Sequence, residues 1–214
     1  MLILLEYFMQ QSARYLMQKD NVMSKIIPQL PELSPLPKMD PYIALLKSII
    51  GQQLSLSSAE AIWQRFNHFF STGISADNIL LKEEHELREL GLSLQKIKYI
   101  QALSSFYLSE TNFFKNIESY SDEEIINTLV SVYGIGRWTV QMLLIFSLNR
   151  EDVFAIDDLI IKKMIMELYN VNEKGKALVI KLNTISEQWI PYRSIACRYL
   201  WHWRGNLKRT TKKH

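Results

Sequence analysis

The stretch VYGIGRWTV at residues 132–140 places two glycines one residue apart, directly before a segment with helical periodicity. This spacing is typical of a tight turn, because glycine adopts left-handed backbone conformations at little cost. The first N–H groups of a helix behind such a turn have no partner within the helix, and the helix dipole favours negative charge beside them. We therefore expect an anion site, above all for a phosphate oxygen, at the backbone amides of Gly134, Gly136 and Thr139.

Helical periodicity extends outward from this turn in both directions. Apolar residues recur three and four positions apart, and serine–glutamate capping patterns occur at Ser57 with Glu60 and at Ser121 with Glu124. No run of period-two alternation separated by hairpin turns is found, so we expect an all-α fold. The predicted helices lie near residues 4–20, 57–70, 94–106, 121–130, 136–148, 159–169, 178–185 and 192–203. The pair flanking the glycines forms a helix–hairpin–helix, for which an ordinary turn between packed helices is the alternative interpretation.

A proline cluster separates the first predicted helix from the rest of the chain. Five of the six prolines lie between Pro28 and Pro41, and proline disfavours helix at its own position and before it. We expect three segments. Residues 1–41 form an amino-terminal helix and linker that packs with the carboxy-terminal lobe, residues 42–114 form one helical lobe, and residues 115–214 form the lobe with the hairpin.

The composition is that of an ordinary globular protein. The chain has 214 residues, 48% hydrophobic and 22% charged, and its net charge of +3 permits nucleic acid as a partner without requiring it. A single cysteine excludes an internal disulfide and a four-cysteine iron–sulfur cluster. We expect no signal peptide and no membrane span, because Glu6 interrupts the apolar start. The tail residues Lys208, Arg209, Lys212 and Lys213 form either a solvated terminus or an added attraction for phosphate.

An acid pair, Asp157 and Asp158, directly precedes the predicted helix 159–169. Aspartate is a preferred helix N-cap, which explains such a pair in structural terms. Alternatively, one carboxylate faces a substrate and stabilises positive charge that develops when a bond breaks. The two acids can divide these tasks between them.

Five stretches spread over roughly residues 42–205 carry a resemblance to a known family. They read IIGQQLSLSSAEAIW, LGLSLQKIKYI, VYGIGRWTVQM, VFAIDDLIIKK and WIPYRSIACRYLWHW. Together they resemble the DNA-3-methyladenine glycosylase II family of helix–hairpin–helix base-excision glycosylases. Only about 40 residues precede this region, so the chain is similar to the compact form of the family that lacks an amino-terminal β domain. The resemblance implies two helical lobes with a DNA cleft between them.

The resemblance assigns roles to the acids and tryptophans. It implies that Asp158 is the catalytic residue, which leaves capping to Asp157. It places Trp138 and Trp201 in a pocket for a base swung out of the duplex, where the indole faces attract the positive charge of an alkylated purine. Core packing is the alternative for both tryptophans. Met142 stands where bacterial relatives have a tyrosine, so substrate preference remains open.

The resemblance also suggests how the DNA is held. The loop before the predicted helix 57–70 wedges into the gap that the flipped base leaves, through Gln53 or Leu54, with a polar surface turn as the alternative. At the hairpin, the carbonyls of Val130, Val132 and Gly134 are expected to hold a monovalent cation, Na or K, that bridges to the phosphate. No other cofactor is expected.

The predicted function is hydrolysis of the N-glycosidic bond of alkylated purines in duplex DNA, 3-methyladenine first and 7-methylguanine second. Related enzymes that also cut the strand use a lysine where this chain has Trp138, so the resemblance implies a monofunctional enzyme. The alternatives are a non-catalytic DNA-binding module and a glycosylase of the same fold for a deaminated purine. We expect a monomer that binds double-stranded DNA and no membrane, located in the cytoplasm and associated with the nucleoid through DNA.

Overall fold

The computed structural model describes the backbone of residues 2–71 and 73–211 and the side chains of residues 7–71 and 73–207. Within these residues all regular structure is helical, which confirms the predicted fold class. The basic side chains of residues 208–213 lie outside the described residues. The helices are α1 (Leu2–Lys19), α2 (Met23–Ile26), α3 (Pro41–Gly51), α4 (Leu56–Phe69), α5 (Ala76–Leu80), α6 (Glu84–Glu89), α7 (Leu94–Ser109), α8 (Thr111–Lys115), α9 (Asp122–Leu129), α10 (Arg137–Phe146), α11 (Leu159–Leu168), α12 (Gly175–Glu187) and α13 (Arg193–Thr211).

The chain divides into two compact units. One unit is Lys38–Leu148, and the other combines the chain up to Pro37 with the chain from Asn149 onward. The second boundary differs from the one expected after residue 114, because α10 packs against α3 as well as against α9. Hydrophobic periodicity shows that a helix has an apolar face, but it does not show which helix covers that face.

In the unit Lys38–Leu148, α7 is the central helix. It packs against α3, α5, α6 and α8, and its residues Ile97, Ile100 and Leu103 are fully or almost fully buried. Each such side chain contributes roughly 1.5–3 kcal/mol through burial of apolar surface. Because α7 is anchored in this core, the side chains on its first two turns can hold neighbouring loops in fixed positions.

In the other unit, the buried carboxylate of Asp20 joins the end of α1 to α11 and to the segment after α12. Its Oδ2 accepts hydrogen bonds from the Tyr169 hydroxyl at 2.6 Å and from Trp189 Nε1 at 2.8 Å. Its Oδ1 accepts from the backbone N–H groups of Val22 and Met23. Burial, and then the hydrogen bond to Asp20, raise the pKa of Tyr169. These bonds fix the carboxyl end of α11, the helix that begins directly after Asp158.

The helix boundaries correct one predicted cap and confirm others. Helix α4 begins at Leu56 with Ser55 as its N-cap, whose side chain accepts from the Ser58 N–H, so the predicted capping box at Ser57 was wrong. The capping box of Ser121 with Glu124 is confirmed, because both reciprocal bonds form at the start of α9. Since serine occurs at positions 55, 57 and 58, the sequence alone does not show which of these serines caps α4.

Candidate functional site

Asp158 is the N-cap of α11. Its Oδ1 accepts hydrogen bonds from the backbone N–H groups of Ile160 and Ile161, both at 2.9 Å, and only 7% of the residue surface is exposed. The assignment of capping to Asp157 was therefore wrong, because Asp158 caps the helix itself. The positive end of the α11 dipole lies beside this carboxylate and favours its negative charge.

The indole of Trp201, on α13, contacts the same carboxylate oxygen. Its Nε1 donates to Asp158 Oδ1 at 3.1 Å, so three N–H donors converge on one oxygen. Such convergent hydrogen bonds fix the orientation of the carboxylate. The two residues lie in the same unit. This contact was not predicted, since the expected role of Trp201 was stacking on a base.

The segment before Asp158 is held against the start of α13. The guanidinium of Arg193 binds the Asp152 carboxylate through Nε at 2.7 Å and Nη2 at 2.8 Å, which forms a structural ion pair. One residue later, the hydroxyl of Ser194 accepts from the Val153 N–H at 2.9 Å. These bonds fix the chain where it enters the Asp158 turn.

The other unit contains the glycine hairpin, between α9 and α10. The Val132 N–H donates to the Leu129 carbonyl, and the Ile135 N–H donates to the Val132 carbonyl, so two successive turns reverse the chain. Gly134 has φ +94°, and a Cβ at this position would overlap the ring of Tyr99 on α7. Glycine is required here both for the left-handed conformation and for the close approach of the ring.

Helix α10 starts without a side-chain cap. Its N-cap is Gly136, which has extended backbone angles and no side chain to accept from the first turn. The Val140 N–H donates to the Gly136 carbonyl at 3.2 Å, so the regular helical bonds begin at that residue. Helices α9 and α11, in contrast, begin with a serine and an aspartate that bond their first-turn amides. An uncapped, positively polarised helix end is suited to an external anion.

The predicted wedge loop is a tight turn directly after α3. The Leu54 N–H donates to the Gly51 carbonyl at 3.2 Å, Gln52 has φ −53° and ψ 131°, and Gln53 has φ +58°. These angles are those of a type II turn, whose third residue is normally glycine or asparagine. The left-handed conformation of a non-glycine residue costs roughly 1–2 kcal/mol. Gln53 and Leu54 are both exposed on this turn, and the identity of the wedge residue stays a prediction.

The sequence of the central region decides the family. Residues 46–191 match the HhH-GPD superfamily of base excision DNA repair proteins. The chain belongs to this superfamily.

Among its relatives is DNA-3-methyladenine glycosylase 1 of Schizosaccharomyces pombe, which is 36% identical over 168 residues, covering 77% of this chain and 72% of the relative. The 3-methyladenine DNA glycosylase of Schizosaccharomyces pombe, solved in complex with abasic DNA, superposes with a TM-score of 0.77 at 32% identity, covering 89% of this chain and 95% of that one. A DNA-3-methyladenine glycosidase from Bacillus halodurans has a TM-score of 0.79 at 29% identity, covering 92% and 91% of the two chains. The resemblance to the 3-methyladenine glycosylases is confirmed.

Trp138 and Met142, which are two of the residues predicted to form the base pocket, lie on one face of α10. They are four positions apart, a spacing that brings side chains together on a helix. Trp138 is 40% exposed, which favours a surface role over core packing, and Met142 is half-buried. Both belong to the unit Lys38–Leu148, whereas Asp158 and Trp201 belong to the other unit.

Two of the three expected cation ligands already accept hydrogen bonds. The carbonyl of Val132 accepts from Ile135 N–H at 3.0 Å, and that of Gly134 accepts from Gln52 Nε2 at 3.1 Å. A carbonyl oxygen has two lone pairs, so each can still take a further partner. Among the described side chains, which are those of residues 7–71 and 73–207, no group of three or more histidine, cysteine, aspartate or glutamate residues is suited to a metal ion. Over the same span, no helix is long and apolar enough to cross a membrane.

The side chains that support the hairpin and the end of α3 were not predicted from the sequence. Gln95 Nε2 donates to the Tyr133 hydroxyl at 2.8 Å, and the rings of Tyr99 and Tyr133 meet edge to face, with centroids 5.0 Å apart. Lys96 Nζ donates to the Ile50 carbonyl at 2.7 Å, and burial lowers the pKa of this lysine. All three α7 side chains lie more than 30 positions from their partners, and no local pattern indicates such contacts.

Proposed function

We propose that this protein is a monofunctional DNA glycosylase that removes alkylated purines, chiefly 3-methyladenine and also 7-methylguanine, from duplex DNA in base excision repair. The observation that carries the proposal is the carboxylate of Asp158, which three N–H donors hold at the start of α11 in an HhH-GPD chain. The relatives named for 3-methyladenine support the substrate class.

Asp158 supplies the negative charge that the reaction needs. When the bond between the sugar C1′ and the base nitrogen breaks, its electron pair leaves with the base and positive charge develops on the sugar. A fixed carboxylate stabilises this oxocarbenium-like centre and orients the water whose oxygen bonds to C1′. A cationic alkylated base is a good leaving group, so a single essential acid is sufficient.

Trp138 supports two parts of the proposal. The indole has no amine, so it cannot form the Schiff base through which strand-cleaving glycosylases act, and the DNA backbone stays intact. Its exposed face is suited to stacking on a cationic purine, and we assign Trp201 and Met142 to binding of the base as well. Because Met142 is not aromatic, it adds contact area without a second electron-rich face.

The hairpin and the wedge loop are assigned to DNA binding. The backbone amides near Gly134, Gly136 and Thr139 bind one phosphate, a contact that is independent of base sequence. Gln53 or Leu54 enters the space of the extruded base and offsets part of the unstacking cost of a few kcal/mol. The partner is thus double-stranded DNA that contains alkylated bases, which requires a location where the genome is accessible. We assign the protein to the cytoplasm, associated with the nucleoid, and it acts as a monomer.

The hairpin carbonyls of Val130, Val132 and Gly134 are assigned to a structural Na or K, with no other cofactor. The cation would add positive charge beside the bound phosphate. The Gly134 carbonyl, which accepts the hydrogen bond from Gln52, keeps a second lone pair for this role. DNA affinity measured in K, Na and tetramethylammonium salts at equal ionic strength tests the assignment. A specific site predicts tighter binding in one of the small cations, and equal affinity in all three salts contradicts it.

The decisive experiment compares the wild type with Asp158→Asn in base release from methylated duplex DNA, with mass identification of the product. Asparagine caps helices as well as aspartate does, so the variant keeps the fold and loses the charge. We expect release of 3-methyladenine by the wild type and a rate about 10²–10³-fold lower in the variant.

Three outcomes would contradict the proposal. If neither protein releases a base but both bind DNA, the chain is a DNA-binding module. If a panel of lesions shows release of a deaminated purine alone, the substrate class is wrong. If the variant is as active as the wild type, Asp158 is not the catalytic residue.

A further inference from the structure

The wedge loop and the hairpin are joined by a hydrogen bond that the proposed reaction does not use directly. Gln52 is half-buried, and its Nε2 donates to the carbonyl of Gly134 at 3.1 Å. Gln52 is the C-cap of α3 and the second residue of the turn that presents Gln53. The bond therefore connects the left-handed glycine of the hairpin to the residue directly before the predicted wedge.

The hairpin end of this bond cannot shift easily. Gly134 is pressed against the ring of Tyr99, and its neighbour Tyr133 is held by the hydroxyl bond from Gln95. Both supporting side chains come from α7, whose buried face is part of the core. The Gly134 carbonyl is thus a fixed acceptor for Gln52.

The turn that contains Gln52 is strained at its next residue. Gln53 adopts φ +58°, a conformation that a glutamine keeps only when its surroundings stabilise it. Lys96 fixes the end of α3 through the Ile50 carbonyl, but that bond lies before the turn. Among the described residues, the side chain of Gln52 makes a polar contact that joins the turn itself to the hairpin.

We propose that Gln52 is a positioning residue that couples the phosphate grip of the hairpin to the wedge loop. Helix α7 holds the hairpin that binds the phosphate, and the bond from Gln52 ties the turn that presents Gln53 to this rigid support. When the hairpin binds DNA, the loop is therefore already positioned for base extrusion. The inference rests on the proposed glycosylase function and assigns a role in base extrusion rather than in bond cleavage.

The test compares Gln52→Glu with Gln95→Glu. Both changes keep the length of the side chain and add one negative charge close to the hairpin. The carboxylate at 52 faces a carbonyl, which cannot donate, so that bond is lost. The carboxylate at 95 faces the Tyr133 hydroxyl, which can turn and donate, so that bond persists. The uncharged variant Gln52→Met removes the donor without adding charge. Thermal melting of all variants checks that they are folded.

Three quantities are measured on the full-length proteins. They are the affinity for undamaged duplex by fluorescence anisotropy, base extrusion by the fluorescence of 2-aminopurine placed beside the lesion, and the single-turnover rate of base release. In Gln52→Glu and Gln52→Met we expect extrusion and rate to fall about tenfold relative to Gln95→Glu, as the loss of one positioned hydrogen bond predicts. The affinity of Gln52→Met for undamaged DNA should stay within about threefold of the wild type.

The results separate this inference from the proposed function. If the wild type releases methylated bases but Gln52→Met extrudes and reacts within about twofold of the wild type, the coupling role is wrong and the glycosylase function stands. A parallel loss of affinity and rate in Gln52→Met shows a general structural role and also overturns the inference. Failure of the wild type to release any base overturns both.

Discussion

Replacement of Trp201 by phenylalanine separates two roles of this side chain. The variant keeps an aromatic face for stacking but removes the Nε1 donor that lies 3.1 Å from Asp158 Oδ1. The carboxylate retains the two backbone donors of Ile160 and Ile161, so the helix cap and the fold should survive. The change therefore tests whether the indole N–H contributes to catalysis by holding the catalytic charge.

The structure sets the expected size of the effect. A hydrogen bond to a charged group contributes about 1.5–3 kcal/mol, and Asp158 is only 7% exposed, which limits the access of water that could replace the bond. If the whole contribution acts in the transition state, the single-turnover rate of base release falls about 10- to 150-fold, since 1.36 kcal/mol corresponds to a factor of ten. Ground-state binding of damaged DNA, measured by anisotropy, should change by less than about threefold because stacking is retained.

A double-mutant cycle with Asp158→Asn gives the decisive comparison. In the asparagine background no charge remains for the indole to hold, so Trp201→Phe should cost less than about threefold in rate. Equal losses from Trp201→Phe in both backgrounds would refute the reasoning, because they would show that Trp201 acts without Asp158. A rate within twofold of the wild type in the single variant would refute it as well.

The remaining predictions concern the hairpin, the buried Asp20 and the single thiol. Gly134→Ala should lower the melting temperature by at least about 5 °C and weaken DNA binding, because it combines left-handed strain with overlap on a tyrosine ring. Gly136→Ala, where a Cβ meets nothing within 4 Å, is the control and should melt within about 2 °C of the wild type; equal effects of the two variants would contradict this account. Tyr169→Phe removes a 2.6 Å hydrogen bond to Asp20 and should lower the free energy of unfolding by about 1.5–3 kcal/mol. Calorimetry should show this as a decrease of roughly 3–10 °C in the melting temperature. An unchanged melting temperature would show that water replaces the bond. Burial raises the pKa of the Cys197 thiol to about 12, so the thiol of the native protein is protonated at pH 8. It should react with a disulfide reagent at least about a hundredfold more slowly in the native protein than in urea. Rapid reaction of the native protein would contradict the burial of this thiol.

The local features of the chain could be predicted because they depend on neighbouring residues. The glycine turn, the capping box at Ser121 and the helical stripes arise from contacts within a few positions, and the structure contains all three. The all-α class follows from the same periodicity. Capping residues were predicted less well, because adjacent serines or aspartates compete for the N-cap and the exact start of a helix depends on its packing.

The candidate site also has a part that could be predicted and a part that could not. Residue types indicated the acid pair as a candidate, and the family resemblance selected Asp158 and supplied the roles of Trp138 and the wedge loop. The contact of Trp201 with Asp158, 43 positions apart, could not be predicted from either residue's surroundings. The same holds for Gln52 and Gly134, 82 positions apart.

The order of amino acids along this chain established an all-helical protein with a tight glycine turn before a helix, an acid at the start of another helix and the pattern of a base-excision family. Short-range forces suffice for these features, since propensity, capping and apolar periodicity act over one or two helical turns. The folded chain decided which oxygen of Asp158 is held, which ring presses on Gly134 and which helices form each unit. Those outcomes depend on side chains that meet only when distant helices pack, and packing is set by the complementarity of whole surfaces rather than by any single segment.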